Sequence, residues 1–240
     1  MEQIQPKTVA QWVTENIHTA HVFKKYGIDF CCGGGVSIRK ACEKAGVNEE
    51  QLLEDLFAVG NGSTRRNQYD QWSLDFLTDH IIHVHHAYTE ENIPLLLQYA
   101  ERVAKVHGHH YLELLHIKDL VRKVSGELSA HMKKEELILF PFIKKLVKCQ
   151  KEGLPAPAAH FGNIDNPIRM MEAEHEDAGE IFRQIFQLSD GYTPPSGACN
   201  TYRAFYAKLQ EFEEDLHHHV HLENNILFPK ALVLQKQLER

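Results

Sequence analysis

The sequence predicts an all-α protein in which a four-helix bundle follows a small helical domain carrying a pair of cysteines. Three observations lead there. No segment shows the apolar–polar alternation of a half-buried strand. Beyond the first 70 or so residues, long stretches repeat apolar residues at i, i+3 and i+4, and turn-rich pieces separate them: KEGLPAPAAHFGNIDNP most clearly, then SDGYTPPSGA. Finally, HMKKEELILFP from His131 and HVHLENNILFP from His219 share the pattern H-x3-E-x2-I-L-F-P, 88 positions apart. His86 precedes His131 by 45 residues and His175 precedes His219 by 44, a fainter echo of the same arrangement. Two similar helix pairs packed as a bundle account for both.

In chain order, Thr8 and Gln11 form a capping box ahead of Val9, Val13 and Ile17, and Gly27 closes a second helical segment. Ser37 starts a further helix, and Asn48 caps EEQLLEDLF. The stretch AVGNGSTRRNQYDQ (58–71) has no period and reads as a linker, which places a boundary near residue 65 and divides the chain into 1–65 and 66–240. Asn166 and Pro167 are the expected N-cap and first residue of the third bundle helix.

A net charge of −7 offers no basic field for nucleic acid or an anionic membrane surface. The amino terminus lacks a signal-peptide pattern, and no apolar run approaches the roughly 20 residues of a spanning helix, so a soluble cytoplasmic protein is expected. Five cysteines, two of them adjacent, fit free thiols in a reducing compartment better than a disulfide framework.

The chain has 17 histidines, and all but His18 and His21 fall between His80 and His221. Their position on the helical stripes gives them a chemical meaning. On the fourth helix the stripe Phe205, Leu209, Phe212, Leu216, Ile226, Leu227 passes through His219 and Glu223, while His217, His218 and His221 fall elsewhere. On the second, Val121, Val124 and Leu128 lead to His131 and Glu135, then Ile138 and Phe142. Ile168, Met171, Ala178, Phe182 and Ile185 flank His175 on the third; Ile82, Ile93, Leu97 and Ala100 flank His86 on the first, with Glu90 one turn on.

One histidine on an apolar face is ordinarily a core residue with a mundane hydrogen bond. Four histidines with two carboxylates on converging stripes differ, because two buried carboxylates demand compensation and a cation is the simplest source. Imidazole and carboxylate donors without thiolate suit iron or manganese, and six side chains exceed one tetrahedral zinc site. With Glu135 and Glu223 bridging two irons, each ion receives two histidines and two carboxylate oxygens, leaving room for an oxo or hydroxo bridge and an exogenous ligand. His107 and Glu90 are candidates for outer support of this centre. Pro141 and Pro229, each ten residues past its histidine, either kink their helices or mark helix ends.

In YGIDFCCGGGVSIRK, Cys31 and Cys32 precede three glycines and a helix start that could lower a thiol pKa. They are either redox-active thiols or ordinary ones beside a Gly-rich turn.

These motifs resemble those of the iron-sulfur cluster repair proteins, the "repair of iron centres" family. YGIDFCCGGG is similar to that family's amino-terminal signature, and AHMKKEE, MEAEHEDAGE and LENNILFP are similar to its hemerythrin-like up-down bundle, with Ala130 where serine is familiar. The resemblance runs end to end. It implies a di-iron centre on His86, His131, His175 and His219, bridged by Glu135 and Glu223, the same six that the stripes select. It also implies partners whose iron-sulfur clusters nitric oxide or oxidants have damaged, and a role for Cys31 and Cys32. Hemerythrin-type oxygen carriers typically add a fifth histidine one turn from the third-helix ligand and an aspartate after the last; here Met171 and Gly179 flank His175, and the last partner is Glu223. Three activities stay open: repair by iron donation or redox chemistry, enzymatic nitric oxide reduction or iron oxidation, and sensing of oxygen or nitric oxide. The short first domain and its linker would permit a homodimer.

Overall fold

The computed structural model describes residues 7–60 and 69–239. Among the described residues there is no strand, only an isolated antiparallel bridge between Thr8 and Ser37, and no helix long and apolar enough to cross a membrane.

The small domain holds α1 (Val9–Glu15), α2 (Ala20–Lys25), α3 (Ile38–Ala45) and α4 (Glu49–Gly60). Its boundaries follow local chemistry. Thr8 and Gln11 complete the capping box on α1, each side chain accepting from the other's backbone N–H. Gly27, at φ 66°, ends α2, with its N–H and that of Ile28 returning to the carbonyls of Lys24 and Phe23. The hydroxyl of Ser37 caps α3 and the side chain of Asn48 caps α4. Of the expected linker, residues 58–60 complete α4 and 69–71 form a 3₁₀ turn; 61–68, with the expected boundary at 65, lie outside the described residues.

Four helical rods make the bundle. The first comprises α5 (Leu74–His80), a π-helical turn (Ile81–His86) and α6 (Ala87–His107). The second runs through α7 (Glu113–Lys134), a π turn (Glu135–Leu139) and α8 (Phe140–Glu152). The third is α9 (Asp165–Leu188), and the fourth is α10 (Asn200–Leu222), a π turn (Glu223–Leu227) and α11 (Phe228–Leu238). α9 begins earlier than Asn166–Pro167 suggests: the side chain of Asn163 accepts from Asp165 N–H, and Pro167 sits within the first turn, where a missing N–H leaves no bond unmade.

The prolines do not end their helices. Both rods continue past Pro141 and Pro229 because a π turn immediately precedes each, with Phe140 N–H donating to the Glu135 carbonyl and Phe228 N–H to that of Glu223. The wider turn changes the phase of the stripe. Leu139 is buried instead of the expected Ile138, which is 39% exposed. On the first rod Ile81 is buried where the pattern selected Ile82, since a π turn puts residue i beneath i+5, and 81 + 5 reaches His86.

The apolar interior falls into two clusters. One joins the small domain to α6, α7, α10 and the second half of α9; the other joins α5, α8, α11 and the start of α9. The expected polar residues form the layer between them.

Candidate metal centre

In that layer the four rods bring together His86, His131, Glu135, His175, His219 and Glu223, each no more than 2% exposed. They form two groups whose ligand atoms lie within 4.8 Å of one another: His86 and His219 with both glutamates, and His131 and His175 with the same two glutamates. The Nε2 atoms of His86 and His219 are 3.2 Å apart, and those of His131 and His175 are 3.0 Å apart. Glu135 Oε2 is 3.3 Å from Nε2 of both His86 and His131. Glu223 approaches His175 at 3.2 Å and His219 at 3.0 Å.

The outer ring nitrogens explain why the inner ones are donors to a cation. His86 Nδ1 faces Glu136 at 2.9 Å, His131 Nδ1 faces Glu174 at 2.8 Å, and His175 Nδ1 faces the carbonyl oxygen of the Asn224 side chain at 2.9 Å. Each of these oxygens only accepts, so each Nδ1 carries a proton, and it is Nε2 that gives up its own proton to offer an inward lone pair to a cation. Among the described residues Glu135 Oε1 has no partner, and Oε2 of Glu135 and of Glu223 face only imidazole Nε2 atoms, at 3.2 to 3.3 Å, although both side chains are fully buried. Converging lone pairs and orphaned carboxylate oxygens suit a cation on each side of the shared glutamates.

The titration behaviour points the same way. Burial pushes the Glu135 carboxyl up and Glu223 adds to this, yet His131 and His86 outweigh both and hold it below the ordinary range. Glu223 is driven well down against burial by His219 and His175. Burial lowers His131 and His86, but Glu135 and Glu223 overcome it, raising His86 and taking His131 up to about 9. The two carboxylates thus demand positive charge at the inner nitrogens, from protons or from a metal.

The outer partners were not apparent in the sequence, although each is the immediate neighbour of a stripe residue. Glu136 follows Glu135 on the second rod and supports His86 on the first; Glu174 precedes His175 on the third and supports His131 on the second; Asn224 follows Glu223 on the fourth and supports His175 on the third. The cycle breaks at His219, whose Nδ1 has no partner among the described residues; His85 stacks over its ring at a centroid distance of 5.5 Å instead. The two expected outer residues lie further away. Glu90 is exposed and pairs with Lys133, which in turn bonds Glu136. His107 ends α6, about 30 Å along the helix from His86, and its Nε2 meets Cys199 Sγ at 3.2 Å.

The histidine run on α10 is no solvated tag. His221 is also buried, contrary to the stripe pattern, because it lies beneath the small domain: Nε2 is 3.3 Å from the Thr14 hydroxyl and Nδ1 is 3.2 Å from the Asn225 amide nitrogen. Burial pushes His218 down to about 3 and His221 to about 4, so both are neutral at pH 7.

The small domain presents Cys31 and Cys32 on the same face. The Asp29 carboxylate accepts from both backbone N–H groups at 3.0 Å, and the Asn225 side chain donates to the Cys31 carbonyl at 2.9 Å. Gly34 is required here, since a Cβ would stand 2.3 Å from the Phe30 carbonyl oxygen. The expected activation by the α3 amino end does not reach Cys31, whose thiol is pushed well up by its hydrogen bond to Cys32, by burial and by Asp29. Cys32 is exposed, and both thiols are free.

Residues 77–231 match the family model of the hemerythrin HHE cation binding domain. Residues 5–59 match that of the ScdA amino-terminal domain, whose function is unknown. A probable iron-sulfur cluster repair protein of Haemophilus influenzae is 36% identical over 213 residues, covering 88% of this chain and 90% of its own. The chain belongs to the iron-sulfur cluster repair proteins. Another member, the iron-sulfur cluster repair protein YtfE of Yersinia pseudotuberculosis, is 36% identical over 211 residues with the same coverage, and so is the Yersinia pestis protein of that name. In this repair-family chain all six clustered side chains fall inside the cation-binding segment, and Cys31 and Cys32 fall inside the amino-terminal one.

Proposed function

We propose that this chain repairs iron-sulfur clusters damaged by nitrosative or oxidative stress, using two iron ions held by His86, His131, His175 and His219 with Glu135 and Glu223 between them. The carrying observation is the pair of histidine groups that share both buried carboxylates. The names of the relatives supply the process. When bound, the two irons would supply exchangeable, redox-active metal in a partly protein-ligated site.

The residues divide the work. Glu135 and Glu223 set the negative charge that draws two cations to one layer. Glu136 and Glu174 hold the Nδ1 protons of His86 and His131 and keep those rings aimed inward. Lys133 and Lys134 bond these outer carboxylates and limit the excess negative charge. Gly179, one turn beyond His175, contributes no side-chain donor to the layer. The apolar clusters on either side of the layer exclude bulk water.

The test is to load the chain anaerobically with ferrous iron and add a purified enzyme whose [4Fe–4S] cluster has been damaged by nitric oxide. Recovery of that enzyme's activity is expected, with the His131→Ala and Glu223→Ala variants unable to hold both irons or restore it. Full iron content and full repair in both variants would overturn the proposal.

A further inference from the structure

Among the described residues, Asn224 is the one outer partner that also meets the small domain. Its side-chain oxygen accepts from His175 Nδ1 at 2.9 Å, and its nitrogen points at Cys32 Sγ, 3.8 Å away. One planar amide therefore separates the exposed thiol of the small domain from a histidine of the buried layer. The contact is well supported. The Cys31–Cys32 backbone is held by Asp29 and by the neighbouring Asn225, and Phe30 packs edge-on to His217 at 5.8 Å. Neither His86, His131 nor His219 has a comparable connection: the first two rest on carboxylates bonded to lysines, the third on none.

We infer that Asn224 is a positioning residue that couples the Cys32 thiol to the cation position formed by His131 and His175, and not to the one formed by His86 and His219. The inference rests on the two-cation reading above. A cation on His175 Nε2 makes the Nδ1 proton a stronger donor to the Asn224 oxygen, which fixes the amide plane and directs its N–H at sulfur. An N–H aimed at sulfur holds the exposed Cys32 side chain in one orientation, open to an electrophile. By reciprocity, an intact Cys32 holds the amide in place and tightens binding of that cation, which is read as slower extraction.

The experiment uses the full chain, with and without two ferrous ions. Iodoacetamide alkylation is followed at Cys32 by peptide mass spectrometry, and iron extraction by a chelator is followed in time. In the wild type, loading should speed Cys32 alkylation at least threefold, and extraction should be biphasic. In Asn224→Ala and in Cys32→Ala only the slow phase should accelerate, by about tenfold, as for other lost outer partners. Alkylation of Asn224→Ala should be indifferent to iron. Asn224→Asp keeps the acceptor for His175 and loses the donor to sulfur, so slow extraction near the wild-type rate for a histidine-only effect, or accelerated extraction as in Cys32→Ala for true coupling, distinguishes a supporting role from communication. An equal alkylation rate with and without iron in the wild type, or Asn224→Asp extracting as slowly as the wild type, would overturn the coupling. A wild type that binds fewer than two irons would instead overturn the two-cation reading.

Discussion

The two histidine groups share both carboxylates and contain the same donor types, yet they differ one layer out. His131 and His175 are both held at Nδ1, by Glu174 and Asn224; of the other pair only His86 is held, by Glu136, while His219 has a stacked His85 in place of a partner. Equal inner ligands with unequal outer support give two positions of unequal rigidity. If each group holds a cation as proposed, the His86 and His219 position should be the looser one and the His131 and His175 position the one that outer contacts adjust.

Loss of a shared carboxylate should have the largest effect. Glu135→Ala or Glu223→Ala removes a carboxylate from both groups, so iron per chain after anaerobic loading should fall from two to well below one. Loss of a single iron would mean that the carboxylates do not bridge. Next, His219→Ala and His175→Ala should each leave about one iron, but the remaining ion should exchange slowly in His219→Ala and quickly in His175→Ala. Stopped-flow chelation assigns the phases, and identical rates would erase the difference between the positions.

A change of pH sharpens it further. His131 lies near 9 in the folded, metal-stripped chain, above its ordinary 6.5, because of Glu135 and Glu223. A cation must displace that proton, so affinity for the position should rise about tenfold per pH unit toward 9 and then level off. Stability of stripped protein runs the other way. A raised pKa contributes stability that is complete below 6.5, on the order of 3 kcal/mol, and that is lost as pH rises through about 9. Thermal melts of stripped and loaded chains should therefore diverge with increasing pH; parallel melts would count against the protonated pair. The smallest effect expected is from the outer carboxylates: Glu136→Gln and Glu174→Gln should each weaken binding about 10- to 100-fold, the first at the His86 side and the second at the His131 side, as titration with ferrous iron would resolve.

Much of the centre was legible before any coordinates. A buried carboxylate or imidazole stands out on an apolar stripe, and helical period is a local property, so His131 with Glu135 and His219 with Glu223 were readable from eleven residues each. The α9 stripe around His175 held because that helix contains no π turn. At the π turns of the first and second rods the pattern slipped by one residue, burying Ile81 and Leu139 in place of Ile82 and Ile138, whereas at that of the fourth both expected residues, Ile226 and Leu227, are buried. Pro141 was the available signal for the slip on the second rod, but a proline is equally compatible with a kink or an end.

By itself, then, the sequence determined the helical class, the caps of the small domain and the six inward-facing donors, since each depends on residues within a few turns of one another. Only the tertiary structure decided which rod supports which histidine, because Glu136, Glu174 and Asn224 serve rings on neighbouring rods, 50, 43 and 49 positions away. It also decided that Cys32 meets Asn224, a contact that spans 192 positions. Periodicity reports the face on which a side chain lies; the atom that it meets there is supplied by another part of the chain, and packing alone brings the two together.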